Sequence, residues 1–330
     1  MVSRKTHKPS ELLIATTRFT RENVIKSWWL TISAWTMLAV SICAVVLVPT
    51  ISLKLLACLS VVAMMTRTFV IYHDYVHRAI LKNSKVAELL FRAYGLFCLA
   101  PMTIWRRTHD FHHQCNGRIA KPSIGTYPVY TLKRFEASSK QQKRDYLRQR
   151  HPLTILFGYW FTFLYGMCIQ PFLADPRKHG DSLVAILLHA VYLFLFAWSF
   201  GPLNMLLGIL IPNLLTFAFG AYLFYVQHNF PGVQYTTDGE WTYELSALES
   251  SSFLKLPPVM QWVTGNIGYH HVHHLNSRIP FFYRLPEAME QIPALQNPIV
   301  SNLSVKEIRR CLQLKVWDEG QGLMIGLSSR

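Results

Sequence analysis

His73-Asp74-Tyr75-Val76-His77 follows directly on Leu53 to Tyr72, a mainly apolar run whose only charges are Lys54 and Arg67. That run is about the length a helix needs to cross a hydrocarbon core of roughly 30 Å. Long cations near its two ends can snorkel to the head groups. A membrane-crossing helix that finishes in two imidazoles four residues apart joins a fold signal to a metal-ligand signal. Two more boxes share the pattern, His109-Asp110-Phe111-His112-His113 and His270-His271-Val272-His273-His274, and His228 follows another apolar run. On a helix, residues i, i+3 and i+4 share one face, so each box presents two or three rings together. His271 points about 100° away from His270 and is assigned a supporting or surface role.

Working outward, the rest of the chain fits a membrane protein. Half of the 330 residues are hydrophobic (51%), and the formal charge of +15 is concentrated beside the apolar runs. Arg4, Lys5, Lys8, Arg18, Arg21 and Lys26 precede the first run; Lys121, Lys133, Arg134, Lys140, Lys143, Arg144, Arg148 and Arg150 follow the second box. Cations so placed fit the positive-inside bias and attraction to anionic lipid, or the docking of an acidic electron-transfer partner. Nucleic acid is not an expected partner, because the cations only flank apolar segments. The six cysteines form no C-x-x-C, so reduced core residues are expected rather than disulfides or a cysteine metal site.

The expected fold is an all-α integral membrane domain covering residues 1–330, with four transmembrane helices in two hairpins. The spans are placed at about 28–48, 53–72, 182–200 and 203–226. Residues 86–102 are short and carry Glu88 and Arg92, and 153–173 are rich in aromatics; both are read as interfacial. The cationic linker Asp175 to Asp181 belongs in the cytoplasm, and Gly201-Pro202 on the far side. This arrangement places both termini and all boxes in a cytoplasmic helical cap. Phe253 to Val263 reads as a short amphipathic stretch, and 286–330 as a polar cytoplasmic tail.

The boxes supply eight aligned imidazoles, and His228 makes nine. A single ion that keeps positions open for chemistry rarely takes so many, so nine ligands divide over two metal ions. Asp74 and Asp110 are candidates to fix ring tautomers, with helix N-terminal charge as the alternative. Asn266, one turn before His270, is either a partner of a metal-held water or a helix cap. His151, His179 and His189 lack such company and read as ordinary core or interface residues.

The boxes HDYVH, HDFHH and HHVHH, with Gly265-Asn266-Ile267-Gly268-Tyr269 leading into the last, resemble the membrane fatty acid desaturase family. Gln227-His228-Asn229-Phe230-Pro231-Gly232 and Glu249 to Leu275 are similar to its bacterial acyl-lipid branch. The likeness runs from about Trp28 to Leu285. It implies a non-haem centre of two iron ions on His73, His77, His109, His112, His113, His228, His270, His273 and His274, with O₂ as co-substrate. It also implies a long-chain, lipid-linked acyl substrate and a separate electron donor, ferredoxin-like or of the cytochrome b5 type, since no HPGG motif is present. The three-residue spacer of the first box resembles acyl-lipid enzymes, and His270 stands where front-end desaturases usually have glutamine. Hydroxylase, carotenoid ketolase and alkene-forming decarboxylase relatives would use the same centre for other outcomes. A metal transporter would need ligands along the spans, which apart from His189 carry none. The short chain without an ER-retrieval signal favours a bacterial inner membrane.

Overall fold

A computed structural model describes residues 10–119, 127–237 and 239–327; Arg4, Lys5, Lys8 and Lys121 of the basic clusters lie outside these residues. After a short α1 (Glu11–Thr16), Asn23 caps α2 (Val24–Leu47) by accepting from the Lys26 N–H. Thr50 caps α3 (Ile51–Val76) in the same way, so the chain reverses at once into a hairpin. Ser41 and Ser60 hydroxyls meet at 2.7 Å between these two helices. α3 runs on past the expected Tyr72 and carries the first box in its last turn, with His77 as its C-cap.

α4 (Lys85–Phe97) and α5 (Met102–Cys115) follow, meeting at 90°. The basic segment forms α6 (Leu132–Ala137) and α7 (Lys140–Gln149), and α8 (Pro152–Leu156) leads into Tyr159–Ile169, which is wound as a π-helix and ends in α9 (Gln170–Ala174). The second hairpin is α10 (Gly180–Phe200) turning at Gly201, whose φ of +85° suits glycine, into α11 (Pro202–Met205) and α12 (Ile211–Val226). Among the described residues, four helical segments, 24–47, 51–76, 180–200 and 202–226, are each long and apolar enough to cross a membrane. Their ends sit within a few residues of the expected spans. α10 shows Phe194 and Trp198 largely exposed, as a lipid-facing surface would.

Beyond α12 lie α13 (Tyr243–Glu249), β1 (Phe253–Lys255), α14 (Pro258–Val263), α15 (His270–Leu275) and α16 (Phe281–Gln291), then β2 (Val300–Asn302), α17 (Val305–Gln313), β3 (Val316–Asp318) and β4 (Leu323–Ile325). The expected amphipathic stretch from Phe253 is therefore a strand, a break and a helix, because β1 finds a parallel partner in β2. The region after Pro286 is no loose polar tail. Pro286 lies within α16, and Leu295, Cys311, Val316 and Trp317 are buried in the cap's core. Trp317 N–H donates to Tyr130 C=O at 2.9 Å, fastening the C-terminal hairpin to the basic segment.

Two cations expected to snorkel do otherwise. Arg67 is buried, with its guanidinium over the Trp262 ring at 4.1 Å and Phe282 at 4.7 Å, and it donates to Trp262 C=O. Lys54 donates to Asn204 Oδ1 at 2.8 Å and to carbonyls at the end of α2, so it joins the turns of the two hairpins.

Candidate metal centre

Each box is helical, and each helix turns its histidines inward. His73 and His77 close α3 with rings 4.6 Å apart. α5 carries His109, His112 and His113, all buried, with the Trp105 ring stacked on His109 at 5.1 Å. α15 is only six residues long and supplies His270, His273 and His274. His228 arrives just after α12, and its Nδ1 lies 2.9 Å from Ser250 C=O, the geometry of an N–H donor that turns Nε2 toward the other rings.

These side chains form two groups of buried imidazoles. His73, His77, His109 and His273 make one; His112, His228, His270 and His274 make the other, and in each the ligand nitrogens lie within 4.8 Å of one another. His73 and His109 Nε2 atoms are 2.6 Å apart. His228 Nε2 is 3.0 Å from His112 Nε2 and 2.9 Å from His270 Nε2, which is 3.1 Å from His274 Nε2. Nitrogens bound about 2.1 Å from one cation at right angles would lie about 3 Å apart, so this packing suits convergence on a metal. His113 sits between the groups, stacked on His274 at 4.2 Å and against His77 and His273 at 4.6 and 4.5 Å. Both its nitrogens, and both of His273, are buried without a hydrogen-bond partner.

Such crowding of like groups is tolerable only if the rings are neutral. Burial, reinforced by neighbouring imidazoles, holds His77, His109, His112, His113, His270, His273 and His274 well below the ordinary imidazole value. Burial lowers His228 to about 4. Neutral rings have lone pairs free for a metal, and imidazole suits iron, zinc, copper and nickel. Among the described residues neither group contains a carboxylate. The donor set thus fits two cations held by nitrogen alone.

The supporting residues stand elsewhere than expected. Asp74 is fully buried, but its Oδ2 accepts from Phe281 N–H at 3.0 Å instead of holding an imidazole. Asp110 is half-buried, with Arg106 and Arg78 as the charges that bear on it. Asn266 adopts φ +65° and donates to Phe281 and Phe282 carbonyls at 3.3 Å, so it shapes the turn before α15. His271 is buried instead of at the surface, with Nε2 3.2 Å from Leu295 C=O. His189 lies between the Tyr159 and Tyr192 hydroxyls, each 2.7 Å away, and His151 caps α8. Phe281 and Ser250 contact the imidazoles but follow no spacing rule that would have singled them out, whereas Trp105, four residues before His109 on α5, shares the face of that box.

The sequence model of the fatty acid desaturase family matches residues 49–298, a range that contains all nine imidazoles. The chain belongs to that family. It is similar to a fatty acid desaturase of Bacillus subtilis, 32% identical over 82% of this chain and 76% of the relative. It is also similar to an sn-1 oleoyl-lipid 12-desaturase of Synechocystis, 23% identical over 66% of this chain. A chloroplastic omega-6 fatty acid desaturase of Arabidopsis thaliana is 25% identical over 69% of it. The matches span 62% and 50% of these last two relatives.

This desaturase has an apolar cavity lined mainly by α3 and α12 that touches two of its imidazoles. Phe69, Val70, Leu223 and Phe224 line it, together with His73 and His270, one from each group. Phe163 and Phe217, both buried and stacked at 4.2 Å, line it too. Thr66 lies seven residues before His73, about 10 Å lower at the rise of a helix.

Proposed function

We propose that the chain introduces a double bond into long, lipid-linked acyl chains, using two iron ions held by the nine imidazoles. His73, His77, His109 and His273 would hold one ion and His112, His228, His270 and His274 the other, with His113 packed between the two groups. The observation that carries this reading is the apolar cavity meeting one imidazole of each group. A methylene chain lying between α3 and α12 would present its carbons to the centre. Its binding there is non-directional, through burial of apolar surface.

An unactivated methylene has no acidic proton, so acid–base catalysis alone cannot remove its hydrogens. When bound, the iron pair would supply the redox chemistry, with O₂, two electrons and two protons converted to two waters as two hydrogens leave adjacent carbons. The protein's own contribution is geometric. Trp105 and Phe281 pack against His109 and His73, Ser250 orients His228, and Phe69, Phe163, Phe217 and Phe224 give the cavity an apolar lining. Electrons come from a separate ferredoxin-like or cytochrome b5-type donor. The boxes and both termini face the cytoplasm of a bacterial inner membrane, in keeping with the cations beside the spans.

The test is the lipid acyl profile of a host expressing the chain with a ferredoxin and its reductase. A new unsaturated acyl chain, absent with His109→Ala, supports the reading. Hydroxylated or terminally unsaturated products would assign a different outcome to the same centre.

A further inference from the structure

Lys140, Arg144 and Arg148 recur every fourth residue along α7, so they form one stripe, and all three are exposed. Lys133 and Arg134 on α6 are exposed too, and half-buried Lys143 ties the two helices by donating to Glu136 C=O at 2.9 Å. Across α6 and α7 these six cations stand against two carboxylates, Glu136 and Asp145. A helix built to lie in the lipid interface carries an apolar stripe opposite its cations. α7 exposes none: its two apolar side chains are Tyr146, buried, and Leu147, half-buried.

The inner side of this face leads to the imidazoles. Arg134 lies over the Tyr130 ring at 3.9 Å, and Tyr130 stacks on Tyr146 at 4.2 Å. Tyr146 neighbours the fully buried Arg150, whose guanidinium donates to Asn229 Oδ1 and faces Tyr225 at 5.2 Å. Asn229 adjoins His228, one of the second group. A series of side-chain contacts therefore runs from Arg134 through Tyr130, Tyr146 and Arg150 to Asn229, the chain neighbour of a metal-ligand candidate.

We propose that the basic face of α6 and α7 is the docking site of an acidic, one-electron carrier protein, which delivers electrons on the His228 side of the centre. This rests on the desaturase reading, since only a reaction drawing electrons from outside needs such a partner. A small patch dominated by one charge suits a brief redox encounter, in which complementary charge raises the association rate more than the lifetime.

The test uses the full chain in nanodiscs with an acidic [2Fe–2S] ferredoxin, comparing wild type with the triple variant Lys140→Glu, Arg144→Glu, Arg148→Glu. In the variant, the apparent KM for ferredoxin at low salt should rise at least about tenfold, and raising salt from about 50 to 300 mM should no longer increase it but lower it, because the attraction has become a repulsion that salt screens. Binding of ferredoxin to the metal-free variant should weaken by a similar factor, whereas turnover driven by dithionite should stay within about twofold. Unchanged ferredoxin KM and binding would overturn the proposal. So would a variant that loses only adhesion to phosphatidylglycerol vesicles, which would make the stripe a lipid contact. Wild type that binds ferredoxin through the stripe yet forms no double bond with either reductant would keep the docking face and remove the desaturase reading.

Discussion

Asp74 accepts a hydrogen bond from the backbone N–H of Phe281 at 3.0 Å, which ties the first histidine box to the segment behind the third. The Phe281 ring in turn packs on His73 at 5.1 Å and His273 at 4.5 Å, two rings of one group. Asp74→Ala would leave the Phe281 N–H buried and unpaired, at a cost of about 1–3 kcal/mol. The expected outcome is weaker iron retention at the His73 group, whereas Asp74→Asn, which keeps an acceptor oxygen, retains most of it. Iron content after mild chelation checks both; equal retention by Ala and wild type would refute the tie.

Gly220 lies on the cavity wall, and a Cβ built there meets no atom within 4 Å. Gly220→Leu should therefore fold, since leucine favours a helix over glycine by roughly 1 kcal/mol. Its side chain would occupy cavity space that the proposed function assigns to the acyl chain. Desaturation of long acyl chains should drop at least about tenfold with iron content unchanged, read from the acyl profile and metal analysis of the same preparation. Full activity would mean the substrate lies elsewhere.

His271→Ala should behave unlike its neighbours in the box. His271 meets Leu295 C=O and belongs to neither imidazole group. Its loss should cost about 1–3 kcal/mol of stability through an unpaired buried carbonyl, with product and iron retained. Complete loss of iron in this variant, with the fold intact, would contradict the grouping.

Stability of the metal-free chain should fall on acidification. Burial lowers both His228 and His271 to about 4 in the fold, from an ordinary 6.5 in the unfolded chain. Above pH 6.5 both states carry neutral rings and no linkage acts. Between about 6.5 and 4 the unfolded chain takes up protons that the folded chain does not, so stability declines through that window. Denaturation of metal-free protein in detergent at pH 7.5 and pH 5 checks the sign; equal or greater stability at pH 5 would contradict it.

The spans and boxes were legible because their signals are local. Apolar length marks a crossing helix, and the i, i+3, i+4 spacing of His109, His112 and His113 aligns rings wherever that helix packs. The same periodicity singled out His271. Long-range partnerships leave no such trace. Asp74 bonds to a residue 207 positions away, and the strand at Phe253 exists only because Val300 returns beside it. Nor does local polarity reveal that Arg67 is sandwiched between Trp262 and Phe282. The segment after Pro286 was read as a polar tail because its apolar residues, among them Ile292, Leu295, Cys311, Trp317 and Met324, form no membrane-length run and meet only in the folded cap.

The most direct test of the two-group centre is iron per chain in wild type, His77→Ala and His274→Ala, the last two removing one imidazole from each group. The structure predicts about two irons in wild type and about one in either variant, because four nitrogens converge separately on each side. A single iron in wild type, or two irons undiminished in both variants, would contradict it.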